Sequence, residues 1–233
     1  MTTHILDPDG EVFLILKNPN ASFAVCEKDS QAPRPSTTNS SSSHDNPQNP
    51  NEKPETSEVR FRVSAKHLIM ASPYFKSMLT GGWRESEEFR KSGTLDLSCE
   101  GWDAEALLIL FRIFHGQTHD LPFRMSVERL ARFTAVANYY NAHSATKFFT
   151  AIWAQPLETT KLRRTPREMV MALWVAWFLR RSRTFKRYST ALVQYSTEPI
   201  TSLGLPLPDQ ILDTLNDRRI QEIERLRYSL KGT

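Results

Sequence analysis

At 233 residues and a net charge of +4, the chain is long enough to bury a sizeable core, as one large domain or one domain with an appendage. Its composition is that of an ordinary globular protein, poor in Gly and fairly rich in Pro. The two cysteines, Cys26 and Cys99, are far apart, which excludes a disulfide-dense scaffold and a Cys-based metal spacing and predicts reduced thiols in an intracellular setting, cytoplasm or nucleus.

The opening MTTHILDPDG has no basic stretch followed by an apolar run, so no signal peptide is expected. Glu11 to Lys17 (EVFLILK) is a short run of β-formers between Asp9-Gly10 and Asn18-Pro19 and predicts a strand. Ala21 to Cys26 (ASFAVC) predicts a second strand after a turn of hairpin length. Residues 30–58 contain no Val, Ile, Leu, Met, Phe, Trp, Tyr or Cys and are dense in Ser, Asn and Pro. Such a stretch buries too little apolar surface to offset the entropy of ordering it, so a disordered insertion is expected at 29–58. Val59 to Val63 alternates apolar and polar residues, which makes the segment an insertion between strands and not a domain boundary.

Ser64 is the expected N-cap of a helix over Ala65 to Ala71. Ser72 then caps a second helix with Pro73 in its first position, ending at Gly81-Gly82. Gly93 to Ser98 reads as a strand, and Glu85, Glu87 and Glu88 before it as a solvated acidic face. Asp103 caps Ala104 to Phe114, Ser126 caps Val127 to Tyr140 after a linker at Pro122 to Met125, and Ala142 to Trp153 follows as a helix. Beyond Pro156 the chain reads as helical, interrupted at Thr197 to Pro208. Asp209 is the expected cap of a last helix whose Leu212, Leu215, Ile220, Ile223, Leu226 and Leu230 form an amphipathic stripe, expected to pack on the preceding helices, the alternative being an oligomer seam.

The longest apolar run, Met169 to Leu179, falls well short of the ~20 residues a membrane-spanning helix needs, so no membrane association is expected. Residues 161–187 carry nine Lys/Arg against the single acid Glu168. Arg163, Arg164, Arg167, Arg180, Arg181, Arg183, Lys186 and Arg187 are thus the candidates for contact with nucleic acid or an acidic partner, the alternative being a solvated flank of an apolar helix.

Catalytic and metal signatures are weak. His115 and His119 are four apart, but Gly116 between them ends the helix and no third ligand is near. No phosphate-binding glycine loop or nucleophile elbow is present, and Ser72, His67 and Asp96 form a triad only on paper because Ser72 is a cap. The expectation is a binding protein and not an enzyme, with no catalytic residue, cofactor or metal.

The order strand, strand, helix pair, strand, helix, helix, with FRVSAKHLIMASPYFKSML at the helix pair, resembles the BTB/POZ domain. Phe61-x-Val63 supplies the strand, Leu68 the first helix and Ser72-Pro73-Tyr74-Phe75 the family's Ser-x-x-Phe start of the second. Leu95-Asp96-Leu97 is similar to its later strand. Glu11 stands where an Asp commonly starts the first strand, and the short N-terminus leaves little room for the extra elements that swapped BTB dimers exchange. The resemblance is to the filamentous-fungal branch, in which helices follow and end in a segment similar to Ser202 to Arg219. It implies an α/β (α+β) fold with a small sheet and a helical cluster at 10–28 and 59–156, and an all-helical extension at 157–230. The function implied is protein–protein interaction as an adaptor or scaffold, with homo- or hetero-oligomers through the BTB domain. Trp83-Arg84-Glu85 matches the hydrophobic-x-Glu motif of adaptors for cullin ubiquitin ligases. Tyr74, Met78, Trp83 and Glu85 are the expected partner-binding residues. The second functional expectation is a nuclear or chromatin-associated factor using the 161–187 patch.

Overall fold

A computed structural model describes residues 2–24, 58–159 and 165–231. Cys26, the insertion through residue 57, and Arg163 and Arg164 of the basic patch lie outside the described residues. The architecture is mixed α/β: a four-stranded sheet with ten α-helices and one 3-10 helix among the described residues.

Strand β2 (Val12–Lys17) buries Val12, Leu14 and Leu16 on one side, as its alternation requires. It pairs antiparallel with β3 (Glu58–Val63), Val12 facing Val63 and Lys17 facing Glu58. Its other neighbour is β4 (Leu95–Glu100), parallel, with Val12 beside Leu95. Residue 58, expected in the insertion, is therefore the first of β3. The expected strand over 21–26 does not form at residues 21–24: Ala24 has a φ of +51°, incompatible with extended backbone. The N-terminus supplies a strand instead, β1 (Thr2–Ile5), parallel to β3, so the sheet order is β1-β3-β2-β4 and β4 is an edge.

Helices α1 (Ala65–Ala71) and α2 (Pro73–Thr80) break at Ser72 as expected. The cap of α1 differs from expectation. Ser64 makes no side-chain cap bond; the Glu11 carboxylate accepts the Ala65 N–H at 3.0 Å, and the Ser64 N–H donates to His115 Nε2. The expected acidic face is a helix, α3 (Arg84–Ser92), closed by Gly93 at φ +72°. α4 (Ala104–Phe114) and α5 (Val127–Tyr139) start at the predicted caps Asp103 and Ser126, followed by α6 (His143–Trp153) and α7 (Gln155–Thr159).

Helix α8 (Pro166–Phe178) begins with a capping box between Thr165 and Glu168 and is buried nearly all round. It packs on α5, where the Trp174 indole donates to Thr134 Oγ1 at 3.0 Å, and on α9 (Ser182–Tyr195). One core cluster runs from Leu6 in the N-terminal part to Leu215 in the last helix, α10 (Asp209–Lys231). The 202–219 segment closes the extension: Leu205 and Leu207 are buried, and the Asn216 amide both accepts from and donates to the Ile200 backbone. The stripe on α10 packs only at its start: Leu212 and Leu215 meet the core, whereas Ile220, Ile223, Leu226 and Leu230 are exposed. No helix among the described residues is long and apolar enough to cross a membrane.

Candidate functional site

The break in HLIMASPYF is a structural joint. Ser72 Oγ accepts the Phe75 N–H at 3.2 Å and donates to the Tyr140 carbonyl at 2.5 Å, tying the start of α2 to the end of α5. Phe75, fully buried, stacks on the Tyr140 ring with centroids 4.9 Å apart. The hydroxyl thus both accepts and donates, as a structural cap does.

That joint forms one wall of a groove of about 540 Å³ between α2, α3, β4 and the end of α5. Tyr74 and Met78 from α2, Glu85 and Glu88 from α3, and Trp102 and Tyr139 line it. Tyr74, half-buried, meets Tyr140 edge-on at 5.3 Å and tilts on Tyr139 at 5.6 Å, while Trp102 tilts on Tyr139 at 5.1 Å. Burial, then a hydrogen bond with Tyr139, pushes the Tyr74 phenol up to about 12. Beneath them, burial pushes the Cys99 thiol up to about 11, opposed by its hydrogen bond with Tyr140, whose own phenol is raised by burial. These groups stay protonated near neutral pH, so the aromatic floor carries hydroxyls and a thiol but no charge. Charge comes from the rim, where Glu85, Glu88, Asp96 and Glu100 outnumber Arg84.

Of the four residues expected from sequence to bind a partner, three converge here. Trp83 does not line the groove. It stands 62% exposed at the N-cap of α3, its ring folded over Gly81, where a side-chain carbon would sit 2.8 Å from Trp83 Cδ1 and 2.3 Å from the Ser77 carbonyl. The buried Ser86 hydroxyl bonds to the Gly81 and Trp83 carbonyls and fixes that turn. Met70 on α1 is exposed. Cys99, Trp102 and Tyr139 were missed because they lie outside the α2–α3 stretch, and only the tertiary fold brings them to the groove.

His115 is committed elsewhere. Its Nε2 accepts from Ser64, its Nδ1 donates to the Phe111 carbonyl, and its ring stacks on His67 at 4.7 Å. Burial lowers its pKa, consistent with a neutral, structural ring. His119 lies apart, exposed and paired with Asp120, and the described residues contain no group of three metal-ligating side chains.

The basic patch is partly spent on the fold. Arg167 donates to both Glu128 oxygens and to the Phe23 and Ala24 carbonyls. Arg181 pairs with Glu158, and Arg187 donates to the Leu157 and Glu158 carbonyls.

No protein-family model matches the chain, and no curated protein sequence matches it.

Proposed function

We propose that the chain is a protein-interaction module of the BTB/POZ type, an adaptor or scaffold whose partner surface is the groove between α2, α3 and β4. The observation that carries this reading is the convergence of Tyr74, Met78 and Glu85, from two separate helices, on one aromatic-floored, acid-rimmed groove. Aromatic anchors ringed by polar groups are the usual makings of an interaction hot spot. Apart from the added helix α3, the succession of elements from β2 to α5 follows the family's order and so supports the family assignment. Trp83-Arg84-Glu85 opens α3 with Trp83 outward and Glu85 in the groove, an arrangement that suits the substrate-adaptor role in a cullin-type ubiquitin ligase.

The test is capture of a purified cullin N-terminal region by the full chain. Wild type retains the cullin, and Glu85→Ala and Trp83→Ala each reduce retention. Equal capture by both variants, or none by wild type, rejects the cullin reading.

A further inference from the structure

Helix α8 ends at Phe178, and the chain reverses through Leu179 to Arg181 with Arg180 at φ +54°. The Arg180 N–H bonds to the Trp177 carbonyl at 3.0 Å and the Arg181 N–H to Ala176 at 2.9 Å, closing a tight corner before α9. Two adjoining hollows meet at this corner. One, of about 640 Å³, is walled by Trp174, Trp177, Phe178 and Phe185, with Pro206 and His143 at its edge. Trp177 is 44% exposed although it lies on an otherwise buried helix. His143 stacks on Phe178 at 4.0 Å, and burial followed by the nearby Arg180 charge lowers its pKa, so it adds a flat apolar wall and not a cation. The second hollow, of about 720 Å³, carries Arg180, Arg181, Arg183 and Arg187 against the one carboxylate of Glu158, and shares Arg180 and Arg181 with the first.

Two of these cations, Arg181 and Arg183, are placed against local preference, whereas Arg180 follows the C-terminal end of α8, where cations are favoured. The first turn of α9 contains no acid, and Arg181 and Arg183 sit at its N-terminal end, where the helix dipole is positive and anions are favoured. A local conflict of this kind marks a place where something other than folding sets the sequence. Arg180 and Arg183 form no ion pair among the described residues, so their charge is open to a ligand.

We propose that the α8–α9 corner docks an acidic segment of a protein partner, seating one bulky apolar side chain against Trp177, Phe178 and Phe185 and laying adjacent carboxylates on Arg180 and Arg183. The charge complement selects an acidic ligand. The aromatic hollow beside it selects a side chain and not a polyanionic backbone, since the cations cluster at one corner instead of following a track. This surface is independent of the acid-rimmed groove and gives the molecule two docking sites of opposite charge.

The test is fluorescence anisotropy with a labelled peptide of one Phe followed by a run of Glu, using the full chain. Binding is expected, weakened about tenfold or more by Arg183→Glu and by Arg180→Asn, which keeps the left-handed turn residue. Replacing the peptide's Phe with Ser is expected to cost a similar factor, and circular dichroism unchanged from wild type shows that the variants fold. The proposal is overturned if the Ser peptide binds equally well, if neither variant weakens binding, if no binding is seen, or if a single-stranded oligonucleotide or anionic vesicle binds more tightly than the peptide.

Discussion

Ser72 and Tyr140 are separated by 68 residues and joined by one 2.5 Å hydrogen bond from the Ser72 hydroxyl to the Tyr140 carbonyl. The same oxygen caps α2, so a single side chain sets where one helix begins and where another ends. Ser72→Ala loses the cap and strands a buried carbonyl, two effects of roughly 1 kcal/mol or more each. The variant should be less stable by about 2–3 kcal/mol, read as a lower urea midpoint with the slope unchanged. An unaltered midpoint would refute the joint.

The first turn of α1 is capped from a distance, by Glu11 on β2. Glu11→Ala should cost about 1 kcal/mol, within the range for caps, while Glu11→Gln keeps an accepting oxygen and should lose less. Urea melts of the two variants distinguish these values; equal stability of Glu11→Ala and wild type disproves the cap.

Glu128 receives hydrogen bonds from Arg167 and Arg132, and these hold its carboxyl down from 4.5 to about 2. A depressed folded pKa adds stability above the unfolded value and loses it as pH falls through the folded one. Glu128 is 40% exposed, so solvent screening limits the contribution to about 1 kcal/mol. Glu128→Gln should therefore be less stable than wild type at pH 7, with the gap closing between about pH 5 and pH 2. A gap that stays constant across that range would show that the ion pairs do not contribute through charge.

Burial and the raised thiol of Cys99 predict slow chemistry at the floor of the groove. In a Cys26→Ser variant, where Cys99 is the remaining cysteine, a thiol reagent at pH 8 should react about a hundredfold more slowly than with the unfolded chain, because a shift of two pKa units removes that much thiolate. Rates equal to those in denaturant would place Cys99 outside the groove floor.

The sequence made the joint legible because cap and proline chemistry is local, and the same holds for Asp103, Ser126 and the core strand β2. It hid β1, whose TTHI has no alternating apolar residues and owes its form to an open edge of β3. Helix α3 lacks an apolar stripe, yet Glu85 and Glu87 in its first turn, Arg90 and Lys91 in its last, and Gly93 after it were readable as dipole complement and C-terminal signal. On α10 the apolar spacing was real, but spacing cannot say how much of a stripe the fold covers. At the groove, Tyr74, Met78 and Glu85 came from one short stretch, whereas Trp102 and Tyr139 required the tertiary fold.

The packing of α8 on α5 also sets a schedule. The face of α5 that holds Thr134 is covered by a helix whose matching residue, Trp174, is made 40 residues later. At about 5–20 residues per second of synthesis, that face waits roughly 2–8 s for its cover. Through that interval the face of α5 that α8 will cover lacks its partner helix.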